Sequence, residues 1–173
     1  MEFIFETMYD QKGIAVMAEA LRKTIRKKRS KKQHVWAMLI IILGIILSMP
    51  KNNEEFKITF NFIITWVAII TMIVVLIFQD KINGYIARKR MIAGMEKSIT
   101  TFKEDGYISE TNIGKTEFYY KNINIIVETE EYFVFVFDQS HAQIYDKNGI
   151  TKGSIDEFKK FITQKTEKEI QNV

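Results

Sequence analysis

Residues 33–50 read QHVWAMLIIILGIILSMP, and residues 58–79 read ITFNFIITWVAIITMIVVLIFQ. These two runs, 18 and 22 residues long and free of Asp, Glu, Lys and Arg, flank the short polar stretch KNNEEFK at 51–57. A helix rises 1.5 Å per residue, so each run is long enough to cross a hydrocarbon core of about 30 Å. The expected unit over 33–79 is therefore a transmembrane helical hairpin, with spans at about 34–50 and 58–79. A cleaved signal peptide is the competing reading of the first run. Against it stand the long charged region before the run and the absence of a small-x-small site after it.

The hairpin's own residues exclude some functions. Neither run holds an Asp, Glu, Lys or Arg, and His34 sits at the membrane edge, whereas ion pathways and proton relays need intramembrane ionisable groups. Trp36 sits where an interfacial anchor is expected. Gly44 and Ser48, four apart, mark a small-residue face suited to packing between the two spans. Pro50 is expected to end the first helix.

Working outward, charge is asymmetric. Residues 1–34 carry nine basic and four acidic side chains, 79–97 carry five and two, and 98–173 carry nine and thirteen; the loop 50–57 is neutral. Basic residues thus flank the spans, and the C-terminal part is acidic. A nucleic-acid binder needs its basic stripe on a folded domain, so nucleic acid is not an expected partner. Excess Lys and Arg on cytoplasmic flanks places both termini in the cytoplasm, in a multi-pass protein of the cell membrane. The candidate contacts to anionic headgroups of the inner leaflet are Arg22, Lys23, Arg26, Lys27, Lys28, Arg29, Lys31 and Lys32 before the hairpin, and Arg88, Lys89 and Arg90 after it.

The first 32 residues read as a short apolar β run, Phe3, Ile4 and Phe5, then a helix start at Thr7-Met8-Tyr9-Asp10. Ile14, Met17, Ala18, Leu21 and Ile25 follow on one helical face, opposite Glu19, Arg22, Lys23, Arg26 and Lys27. Two readings stay open: a basic amphipathic helix lying on the inner leaflet, or a helix packed on a soluble domain. After the hairpin, helical spacing of Ile82, Tyr85, Ile86, Met91, Ile92 and Met95 predicts a juxtamembrane helix over 80–97.

From Ser98 the period becomes two. Strands are expected at 98–103, 107–111, 115–120, from Ile123 through Ile125 and Val127, at 132–137 and at 142–145. Asp105-Gly106 is a hairpin turn signal. Residues 132–137 are apolar on both faces, which predicts a central strand or one covered on its second face. Ser154 and Glu157 form a capping box that starts a helix burying Ile155, Phe158, Phe161 and Ile162, with Ile170 a further candidate. The fold class is thus an α+β membrane protein: a two-helix hairpin, then a small antiparallel β-rich domain at 98–173 closed by a C-terminal helix, with the N-terminal run a candidate extra strand.

The stretch Tyr120-Lys121-Asn122-Ile123-Asn124-Ile125-Ile126-Val127-Glu128-Thr129-Glu130-Glu131-Tyr132-Phe133-Val134-Phe135 resembles the core of the YcxB-like family of small bacterial membrane proteins. Where that family often ends the next strand in isoleucine–proline–lysine, this chain has Ile144-Tyr145-Asp146-Lys147. The resemblance implies a membrane location and this architecture. It brings no reaction and no catalytic residues.

No constellation points to catalysis, a cofactor or a metal. The two histidines, His34 and His141, lack ligand-spaced partners, there is no cysteine, and the eight glycines form no phosphate loop. Glu128, Glu130 and Glu131 cluster where a solvated turn is expected. The expected function is non-enzymatic: a membrane-anchored binding or regulatory protein presenting an acidic cytoplasmic domain to a protein partner, an immunity-type self-protection factor being one form of that role. The alternative is a structural subunit of a larger membrane complex joined through the hairpin.

Overall fold

The computed structural model describes residues 2–49 and 58–173; the expected helix end at Pro50 and the loop 51–57 lie outside them. Nine strands and four α-helices follow in the order β1 (Phe3–Met8), α1 (Gln11–Lys23), α2 (Lys27–Ser48), α3 (Phe60–Lys89), β2 (Lys97–Phe102), β3 (Tyr107–Thr111), β4 (Gly114–Phe118), β5 (Ile125–Glu128), β6 (Tyr132–Val136), β7 (Ala142–Asp146), β8 (Ile150–Lys152), α4 (Ile155–Thr166) and β9 (Ile170–Asn172). Two compact bodies result. One holds residues 1–26 together with 80–173, and the other holds residues 27–79.

The first body contains two sheets. One runs β4-β3-β2-β1-β8, the other β7-β6-β5-β9. The N-terminal strand is therefore no fringe element: β1 lies between β2 and β8, pairing Phe3 with Phe102 and Thr7 with Ser98. It extends to Met8, so the helix start read at Thr7 moves to Asp10, whose carboxylate accepts from Gly13 N at 2.7 Å. Thr7 is instead buried in the sheet.

Between the sheets lies an aromatic core. Phe3, Phe5, Phe102 and Tyr107 from the first sheet meet Phe133, Phe135 and Tyr145 from the second, and α4 inserts Phe158, Phe161 and Ile162. The N-cap half of the capping box forms as read, Ser154 Oγ accepting from Glu157 N at 3.3 Å, while the Glu157 carboxylate accepts from the Ser154 hydroxyl at 2.8 Å. All five residues of β6 are buried. Phe133 and Phe135 face the aromatic core, whereas Val134 and Val136 face a second apolar cluster completed by Ala20 and Leu21 of α1. The apolar stripe of α1 is thus spent on protein, which decides between its two readings.

Three departures have local causes. Ile123 precedes β5, closing a 3₁₀ turn at Tyr120–Asn122. This shifts the register, so that Ile126 joins Ile123 in the aromatic core while Val127 faces α1. Ile170 belongs not to α4 but to β9, which pairs in parallel with β5; the helix stops where Glu167 takes φ +56°. The helix expected over 80–97 is the end of α3, and it stops at Lys89. By Gly94 φ is +91°, a conformation that glycine adopts without a Cβ penalty. That turn brings Glu96 O to Tyr9 N at 2.7 Å and starts β2 beside β1.

The second body contains α2 and most of α3. Both are long and apolar enough to cross a membrane. Gly44 faces α3: a Cβ there would lie 3.2 Å from Ile69 Cδ1, and Ile69 is buried. The small residue is thus used within the helix pair. Thr65 and Thr71 donate to the carbonyls of Asn61 and Val67, one turn back in their own helix.

Candidate functional site

The first sheet changes character along its inner face. Register places its residues in three rungs across β1, β2, β3 and β4. The first rung, Phe3–Phe102–Tyr107–Phe118, is aromatic. The second, Phe5–Thr100–Ser109–Thr116, is mostly hydroxyl-bearing, and the third is Thr7–Ser98–Thr111–Gly114. Side chains two apart on a strand share a face, so the alternation of FIFETM in β1 and of SITTF in β2 produces a polar end on an otherwise aromatic core.

At this polar end is a cavity of about 520 Å³. Its polar lining includes Tyr9, Ser109, Thr111, Thr116 and Gln143 of β7, and its apolar lining includes Ile14, Met17, Met91 and Met95. Gln143 is fixed: the Tyr107 hydroxyl donates to its Oε1 at 2.9 Å and the Tyr145 hydroxyl at 2.6 Å. Burial pushes both phenols well above the ordinary tyrosine value, so they stay protonated donors. Thr100 Oγ1 donates to Ser109 Oγ at 3.2 Å, and Asp146 N donates to Thr7 Oγ1 at 3.2 Å. Ser98 Oγ is sealed from solvent without a hydrogen-bond partner of ordinary geometry.

The basic residues flanking the hairpin fall into different settings. Arg22 grips Asp80, Nε to Oδ1 at 3.0 Å and Nη2 to Oδ2 at 2.7 Å, tying α1 to the last third of α3. In the same contact Gly84 lies so close that a Cβ would sit 2.9 Å from Ala15 N. Lys23 pairs with Glu19 at 2.8 Å, and Arg26 Nε donates to the Gln139 carbonyl at 2.5 Å. Arg88 reaches Met91 Sδ at 3.6 Å. Lys27, Lys28, Arg29, Lys31 and Lys32 are exposed on the first turns of α2, as are Lys89 and Arg90 at the end of α3.

Elsewhere Glu128 lies between Lys147 at 2.5 Å and Lys159 at 2.6 Å, joining β5 to the turn before β8 and to α4. Its burial favours protonation, but the two ammonium groups outweigh it and hold the carboxyl below the ordinary glutamate value. It is a structural cross-tie, distinct from the solvated cluster expected from its neighbours in sequence. His141 meets Asp138 at 2.7 Å on the surface. Among the described residues no group of three His, Asp or Glu is placed to hold a metal ion.

The cavity was not legible as a site in the sequence. Its hydroxyl groups come from the β3–β4 hairpin and its amide from the distant β7, and its apolar lining from α1, the end of α3 and the segment after it. The one available signal was the row of Ser and Thr at alternate positions of β2 and β3, where an inner face normally carries branched or aromatic residues.

These features define a class: an α+β domain of two packed sheets and a terminal helix, carried by a chain with two long apolar helices. A family model described as YcxB-like protein matches residues 102–162, from the end of β2 into α4, so this stretch is similar to that family, in line with the resemblance. The match leaves out β1, which completes the same sheet. No curated protein and no solved structure matches the chain.

Proposed function

We propose that this chain is a non-enzymatic, multi-pass protein of the cell membrane, its hairpin spanning the bilayer and its folded body presented to a protein partner in the cytoplasm. The observation that carries this reading is the composition of the first body. Residues before α2 and after α3 share one sheet, so a hairpin that crosses and returns leaves both termini on one side. The charge distribution independently points to the cytoplasm, since Lys27, Lys28, Arg29, Lys31, Lys32, Lys89 and Arg90 flank the apolar stretches. Those seven are the residues proposed to meet anionic headgroups, each worth about 1 kcal/mol near the surface. Arg22 and Arg26 serve the fold first.

The outward surfaces of α2 and α3 support insertion. Trp36, Leu39, Leu43 and Leu47 on α2 and Ile63, Val67, Ile70 and Ile77 on α3 are exposed. An apolar surface of that extent needs lipid or other helices around it. Immunity-type self-protection is the form of partner recognition proposed. Purification in mild detergent tests the proposal. A partner held by the folded body survives deletion of neither β1 nor α4 but tolerates replacement of the hairpin by an unrelated one. A partner lost on that replacement identifies a subunit assembled through its spans instead.

A further inference from the structure

The cavity at the polar end of the sheet core has the makings of a ligand site independent of any protein partner. Its volume of about 520 Å³ falls within the range of about 300–1,000 Å³ that small-molecule sites occupy. Its lining is of two kinds. Ile14, Met17, Ala87, Met91, Met95 and Ile113 are apolar. Methionine is unbranched and adapts to a flexible chain. The remainder brings hydrogen-bonding capacity that the protein leaves unspent.

Gln143 is the clearest case. Its Oε1 accepts from two tyrosine hydroxyls, which fixes the amide, while its Nε2 has no partner among the described residues. An NH₂ group brings two donors. The Ser109 hydroxyl accepts from Thr100 and has its own proton to give. Thr116 adds another hydroxyl, paired with no described residue. Donors therefore lead in this part of the lining. Charge is balanced: among the described residues lining the cavity Lys115 is the one charged side chain, and Glu110 holds its ammonium at 2.7 Å, while burial keeps the Tyr9 phenol protonated and neutral. An anionic head finds no unpaired cation there, and a cationic head finds no carboxylate.

We propose that this cavity binds a single-chain acyl amphiphile with an uncharged, acceptor-rich head, of which a monoacylglycerol is the simplest representative. The ester and glycerol oxygens accept from Gln143 Nε2 and the Ser109 and Thr116 hydroxyls, and the alkyl chain lies along the methionines.

The methionines also report on occupancy. The full chain, labelled with ¹³C at the methionine methyls and held in phosphatidylcholine nanodiscs, is titrated with 1-octanoylglycerol and, in a parallel arm, octyltrimethylammonium. Met38 and Met72, on α2 and α3, report partition into the bilayer. The expected result is saturable shifts at Met17, Met91 and Met95 with octanoylglycerol alone, and only non-saturating drift at Met38 and Met72 with both. Gln143→Glu keeps an acceptor for both tyrosines but replaces the NH₂ donors with a carboxylate. Losing a hydrogen bond worth about 1.4 kcal/mol, it should raise the half-saturation concentration about tenfold. Thr116→Val, at an exposed position, should raise it severalfold and stands in if the first variant does not fold. Absence of saturation, equal half-saturation by the two amphiphiles, or unchanged half-saturation in a folded variant overturns the proposal.

Discussion

Phe158 lies where the two sheets and α4 converge. Its ring is 4.7 Å from that of Phe5, 4.9 Å from Phe102 and 5.4 Å from both Phe3 and Phe133. Aromatic pairs at such spacings add to the stabilisation from burial alone. Phe158→Ala should cost about 3–5 kcal/mol, because four rings held by three elements cannot collapse together into the space left. Urea unfolding of the reconstituted protein, followed by tyrosine near-ultraviolet dichroism, measures it. Glu128 offers a test with a pH signature. Its folded value is depressed below 4.5, so its contribution is present above that value and is lost as pH falls through the folded one. Glu128→Gln should cost about 1.5–3 kcal/mol at neutral pH, the range for hydrogen bonds to charged groups. The wild-type and variant stability curves should converge in acid; a difference independent of pH would assign the loss to packing instead.

Among the elements, β1 and α1 carry the most consequence. Both are far in sequence from what they pack on, and both are needed: β1 fills the middle of the first sheet, and α1 covers the outer face of β6. Residues 98–173 alone should therefore fail to fold, exposing the Phe102, Phe133 and Phe158 rings that Phe5 covers. Residues 1–26 joined by a short glycine–serine linker to 80–173 should fold, since the Arg22–Asp80 pair already holds the two segments together. Dispersed amide NMR signals from both polypeptides would show that the β-rich segment is autonomous and β1 dispensable. Periodicity made most of this visible in part. The capping box, the two-faced β6, the Tyr107–Thr111 strand and the apolar stripe of α1 could each be read from local pattern. Which face α1 covers could not, because a helix on a sheet and a helix on a bilayer present the same stripe. Nor could β8 and β9, three residues each, whose pairing is decided by distant strands. The cavity escaped for the same reason: rungs are a property of register between strands, and register is set by the assembled sheet.

For the molecule as a whole, a first body built from both ends of the chain makes topology testable in two places at once. A reporter at Val173 and one placed before Phe3 should read the same side, the cytoplasm. Opposite readings would mean that only one of the two apolar helices crosses. Matching readings on the outer face would reverse the orientation while leaving the hairpin intact.

The placement of β1 also sets a timetable. Phe3 pairs with Phe102, and Ile4 with Lys152. Ribosomes add about 5–20 residues per second, so the first strand waits roughly 5–20 s for β2 and longer for β8. During that interval the nascent chain delivers both apolar helices, while FIFETM emerges with its edges unpaired. The body closes only after the last of its partners has left the exit tunnel, which makes this a domain whose first-made strand is among the last to find its place.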